Sequence, residues 1–150
     1  LKAGVPVTHG HINTKSIAVS DHRVLKMISF GGTKPSSDMR AIEMLTGQSP
    51  VHFRYLAPEV KSAPWSVNHR SDLYSMGIIC SLLYNGENLY NDNDVVDYFT
   101  GTQCSAPGIN ENIDAEDPVN GFLYKLSAWD PVDRPKNAVE AGKLLEKLEL

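Results

Sequence analysis

Two short stretches hold the side chains that could do chemistry. In His9-Gly10-His11, alternate residues share one face of an extended segment, so two imidazoles lie on the same side. Either ring could take up a proton or bind a metal. A zinc site needs further ligands, and no third one is placed by spacing, so the plainer reading is one buried and one loop histidine. Asn13 and Ser16 follow in the same stretch, and Ser29 closes a later apolar run. Gly31-Gly32-Thr33-Lys34 has the residue types of a phosphate cradle. It lacks the strand–GxxxxGK[ST]–helix context that makes such a cradle work, and reads as a loop.

These residues need elements to position them. Val5–Thr8 and Ile17–Val19 are β-prone, Ser20-Asp21-His22-Arg23 has turn chemistry, and Val24–Ile28 reads as a further strand. A hairpin with arms of roughly ten residues is the expected local structure. From Gly31 to Pro50 the chain is irregular, with weak helical spacing only over Asp38–Leu45. From Ser71 the pattern turns helical. Leu73, Met76, Ile78, Ile79, Cys80, Leu82 and Leu83 wrap nearly all sides of one helix, which predicts a buried central helix. A short helix is expected over Asp94–Phe99, then a loop over Gly101–Asp114. Asp117 can cap a helix with Pro118 in its first turn and an apolar stripe of Val119, Phe122, Leu123 and Leu126. In the last helix Asn137 and Glu140 have capping-box spacing, and Ala138, Ala141, Leu144, Leu145 and Leu148 form the stripe. The acidic stretch Asn91–Asp97 reads as a solvated face. Trp65 and Trp129 are expected to pack.

Composition bounds the function class. The 150 residues suit one domain, and 41% hydrophobic with 21% charged residues is an ordinary balance for a soluble one. A net charge of -4 offers no whole-chain grip on nucleic acid. The longest apolar run, near Met76–Tyr84, is too short for a membrane span. Two cysteines, Cys80 and Cys104, make no disulfide framework, which fits a reduced, intracellular and cytoplasmic protein. Leu1-Lys2-Ala3-Gly4 resembles the end of a helix, so an excerpt of a longer chain is expected.

Five segments, in order and at fitting intervals, resemble the C-terminal lobe of eukaryotic protein kinases. His9-Gly10-His11-Ile12-Asn13-Thr14-Lys15-Ser16-Ile17-Ala18-Val19 is similar to the catalytic loop H-R-D-L-K-x-x-N-I-L-V, and Ser29-Phe30-Gly31 to D-F-G. Tyr55-Leu56-Ala57-Pro58-Glu59 matches Y-x-A-P-E. Ser71-Asp72-Leu73-Tyr74-Ser75-Met76-Gly77 resembles the S-D-x-W-S-x-G start of the lobe's central helix. Asp130-Pro131-Val132-Asp133-Arg134-Pro135 resembles the D-P-x-x-R-P turn before the last helix. The resemblance covers residues 1–150. It implies a mainly α fold with a small β-hairpin region (α+β), a kinase C-lobe built around a buried central helix.

The resemblance also sorts the residues by role. It implies that Glu59 and Arg134 form a buried ion pair, that Asp72 accepts hydrogen bonds from backbone amides at His9, and that His9 and Phe30 belong to a hydrophobic stack. Gly31, Ala57, Pro58 and Gly77 are further structural landmarks. The positions with chemical roles have changed. His11 stands at the catalytic aspartate, Asn13 at the lysine paired with the transferring phosphate, Ser16 at the metal-binding asparagine and Ser29 at the D-F-G aspartate. A serine hydroxyl carries no charge and is a poor substitute for a carboxylate on a hard dication. Gly10 replaces the arginine that receives a phosphorylated loop, and His52 replaces a threonine that bonds the catalytic aspartate, so phosphorylation at Thr33, Ser36 or Ser37 would lack its usual receiver.

The expectation is therefore a pseudokinase C-lobe without catalytic or metal residues, acting as a scaffold or allosteric module on an active kinase or a signalling or assembly complex. The N-terminal lobe would lie elsewhere in the full-length protein. A long helix packs against the central helix in that family, so apolar surface is expected near Met76–Leu83. No cofactor is expected, and ATP binding without Mg²⁺ draws no support from this half. Two alternatives stand beside this reading: a weak, unconventional kinase using substitute groups, with His11 as proton acceptor, and an ATP sensor without turnover.

Overall fold

The computed structural model describes residues 8–29, 50–63 and 66–148, apart from the side chains of 50–52 and 62. Expectations for Val5–Val7, Phe30–Lys34, Ser36, Ser37, Asp38–Leu45, Trp65, the Leu1–Gly4 end and the His52 side chain lie outside the described residues. The architecture is mainly helical with one small two-stranded antiparallel sheet, the expected α+β class.

A single 3₁₀ turn, Thr14–Ser16, leads into β1 (Ile17–Val19), which pairs antiparallel with β2 (Leu25–Met27). Ile17 faces Met27, Ala18 faces Lys26 and Val19 faces Leu25. The turn is built at Ser20, whose carbonyl accepts from the Arg23 amide and whose hydroxyl accepts from the Val24 amide. Arg23 takes a positive φ of 58° there. The arms are three residues long, not the ten expected, because the 3₁₀ turn closes the chain before Ile17 and ends the ladder on that side. Residues 21–29 are all exposed.

A 3₁₀ segment, Pro50–Tyr55, and the short helix α1 (Glu59–Ser62) precede the central helix α2 (His69–Asn85). α2 begins two residues earlier than the sequence pattern suggests, because Asn68 caps it. The Asn68 side chain accepts from the Arg70 amide, and Ser71 Oγ accepts from the Asn68 amide in return. It ends at Gly86, in the left-handed conformation at φ 73°. Leu73, Tyr74, Ile78 and Ile79 are buried, Met76 and Cys80 are half-buried, and Leu83 is 80% exposed. Met76, Cys80 and Leu83 follow one another at i, i+4 and i+7, so one stripe of the otherwise buried helix is less covered. Cover thins along this stripe, on the stretch where apolar surface was anticipated.

Among the described residues three further α-helices follow: α3 (Asp92–Thr100), α4 (Pro118–Leu126) and α5 (Ala138–Leu145). Asn91 and Asp117 cap the first two through their side chains. On α4, Leu123 and Leu126 are buried and Val119 and Phe122 pack against the core, as the stripe requires. α4 lies so close to α2 that a Cβ on Gly77 would stand 2.9 Å from Ser127 Oγ and 3.0 Å from Leu126 Cβ. At α5 the capping box is altered. Asn137 accepts from the Glu140 amide, but the Glu140 carboxylate reaches the Lys136 amide instead of the cap's own. Leu145 is 44% exposed. The core joins Ile12, Tyr55, Ala57, Val60, Tyr74, Ile78, Ile79 and Leu89 to an aromatic cluster in which Trp129 meets Tyr74, Tyr90 and Tyr98 edge-on. Among the described residues no helix is long and apolar enough to cross a membrane.

Between residues 87 and 117 the chain carries eight carboxylates and no lysine or arginine. Glu87, Asp92, Asp94 and Glu111 line a polar cavity of about 490 Å³ there, together with asparagines 91, 93, 110 and 112.

Candidate functional site

The loop from His9 to Ser16 is held from below. Asp72, in the first turn of α2, accepts from the His9 amide at 2.7 Å through one oxygen and from the Gly10 amide at 2.8 Å through the other. Presenting two successive amides to one carboxylate bends the chain at Gly10 to φ 76°, a conformation that costs glycine little. The His9 ring is 3% exposed, and its Nε2 donates to the Ile28 carbonyl at 3.0 Å. His9 thus ties the loop to the end of β2, beside Ser29. Burial pushes the Asp72 carboxyl above its ordinary value, against the two amide bonds that pull it down.

Ile12 is buried, and the loop then turns on itself. Asn13 Oδ1 accepts from the Lys15 amide at 2.8 Å, and Asn13 Nδ2 donates to the His11 carbonyl at 3.1 Å. Ser16 Oγ donates to the Asn13 carbonyl at 2.7 Å and accepts from the Asn13 amide at 2.8 Å. Ser16 is 1% exposed, so its hydroxyl is committed inside the turn. This Asn13–Ser16 box was not anticipated. Its signal was available in the Asn-x-x-Ser spacing, which recurs at Asn68–Ser71. His11 is half-buried. Ser29 is exposed and holds a φ of 67°, which is uncommon for a residue with a side chain. Phe30 and Gly31 lie outside the described residues. Chemically, this loop offers hydroxyl, amide and imidazole groups, whereas the Asp72 carboxylate is taken up by the His9 and Gly10 amides. Among the described residues no three His, Cys, Asp or Glu side chains are grouped to hold a metal ion.

The second cluster lies at the helical base. Arg134 is 3% exposed and uses every N–H it has. Nη1 and Nη2 grip the two oxygens of Glu59 at 2.9 Å each, a bidentate pair. Nε donates to the Ala128 carbonyl, Nη1 also to Arg70 and Nη2 also to Trp129. The guanidinium lies 5.0 Å from the centre of the Tyr74 ring. Ser71 Oγ donates to Glu59 at 2.8 Å, a third partner that motif reasoning missed. Burial raises the Glu59 carboxyl, but the hydrogen bonds and positive charge of Arg134 outweigh it and hold the group below its ordinary value. Ala57 and Pro58, just before Glu59, are buried. Ser75, one turn after Ser71, donates to the Tyr55 carbonyl at 2.7 Å and fixes that segment on α2.

The structure therefore brings His9, Gly10 and Asp72 together at one end of α2, joins Glu59, Ser71 and Arg134 beside it, and sets Gly77 against α4. No family model matches the chain. It is 25% identical over 147 residues to a probable serine/threonine-protein kinase of Clostridium perfringens, covering 95% of this chain and 21% of that protein. It is 26% identical over 149 residues to a serine/threonine-protein kinase of Arabidopsis thaliana, covering 95% and 24%. A wall-associated receptor kinase-like protein of Arabidopsis thaliana is 30% identical over 87 residues, covering 57% of this chain and 19% of that protein. The chain thus spans no more than about a quarter of these relatives' length. Over nearly all of its own length it is similar to serine/threonine protein kinases, as a kinase-related domain.

Proposed function

We propose that residues 1–150 are the C-lobe of a catalytically inactive kinase-like domain that serves as a scaffold or allosteric partner. The partner is a protein, either an active kinase or another component of an intracellular, cytoplasmic signalling or assembly complex. The N-terminal lobe belongs to the full-length protein.

The observation that carries this reading is the state of Ser16. In kinases its position supplies an oxygen to Mg²⁺, and the metal neutralises charge on the phosphates. Here the hydroxyl is buried and closes its own turn with Asn13. Ser29 offers a neutral hydroxyl where a carboxylate would be needed. His11 could accept a proton, but proton transfer alone leaves the phosphoryl charge unmet. The bracing residues Asp72, Glu59 and Arg134 meanwhile hold the lobe together, which an interaction module requires as much as an enzyme does.

The test is transfer of labelled γ-phosphate by the full-length protein with ATP and Mg²⁺. The expected result is no transfer above a protein-free control, unchanged by His11→Ala. Transfer that disappears in His11→Ala would overturn the proposal in favour of a kinase using substitute groups. A thermal shift with ATP that needs no Mg²⁺ and yields no transfer would point to a nucleotide sensor.

A further inference from the structure

We draw no further inference here: the strongest candidate, the acidic cavity between the Glu87–Asp94 turn and the loop at residues 108–112, is a cluster of carboxylates and asparagines beside which no second feature among the described residues points to a ligand.

Discussion

Two neighbouring regions, both anchored on the first turn of α2, handle polar groups differently. Around Arg134 every donor of the guanidinium meets an acceptor, both Glu59 oxygens are gripped, and charge is buried because it is saturated. In the loop and hairpin from 9 to 29, one carboxylate from α2 fixes the start of the loop, neutral side chains close its turn, and everything beyond Ser20 is exposed. The first region braces the fold through charge. The second closes its turn with neutral groups, which spend their hydrogen bonds on the loop's own conformation.

The largest effect should come from the base. Arg134→Met strands the Glu59 carboxylate and should lower stability by about 3–5 kcal/mol in urea denaturation. Adding Glu59→Leu should recover part of that loss. It should not recover all of it, because three backbone carbonyls would still lack the donors Arg134 provides. A loss under about 1 kcal/mol for the single variant would dissolve the contrast between the regions.

Asp72→Asn probes the joint between them. An amide has one acceptor oxygen where the carboxylate offers two, so either the His9 or the Gly10 amide loses its partner, at about 1–3 kcal/mol. Hydrogen exchange should quicken at those two amides and stay unchanged in α5. Faster exchange in α5 as well would mean that the regions open as one unit.

Acid should act on the two carboxylates in opposite directions. Glu59 is held below its ordinary value of 4.5, so its contribution to stability is full above that pH and is lost as pH falls through the lower folded value. Asp72 is raised above 3.8, so its ionised form carries a penalty at neutral pH that is relieved as pH falls through its folded value. Stability measured from about pH 6 down to about pH 3 should therefore fall less steeply in Glu59→Gln than in the parent chain. A steeper fall in the variant would count against the pairing as the source of acid sensitivity.

The smallest effect is expected inside the core. The Tyr74 hydroxyl is fully buried and has no hydrogen-bond partner among the described residues. Tyr74→Phe should leave stability unchanged or raise it by up to about 1 kcal/mol in the same denaturation assay. A clear loss would reveal a partner for that oxygen.

Much of this was legible before folding, and the reasons are physical. Helices announce themselves through caps and stripes, so Asp117–Pro118 and the stripe from Val119 to Leu126 located α4 closely. Glu59, Asp72 and Arg134 were singled out by the motif resemblance, which implied the partners they have here. The hairpin length was misjudged, since β-propensity over Val24–Ile28 says nothing about where the opposite strand stops, and a turn at Asn13–Ser16 stops it. The commitment of the Ser16 hydroxyl was signalled only by the Asn-x-x-Ser spacing, which does not by itself fix the bond. A serine's partners depend on backbone angles that residue identity alone does not specify. Leu83 shows the limit of periodicity: an apolar position marks a side of a helix, not whether anything covers it.

The eight carboxylates between residues 87 and 117, with no lysine or arginine among them, give this protein an unusual response to dissolved salt. Of the eight like charges only Asp92 has an ion pair among the described residues, with Arg54 at 2.8 Å, and the others repel one another across α3 and its flanking loops. Their mutual repulsion reaches ~30 Å at 0.01 M ionic strength but only ~8 Å at 0.15 M. Added electrolyte should therefore tighten this segment while leaving the enclosed Arg134 pair almost untouched.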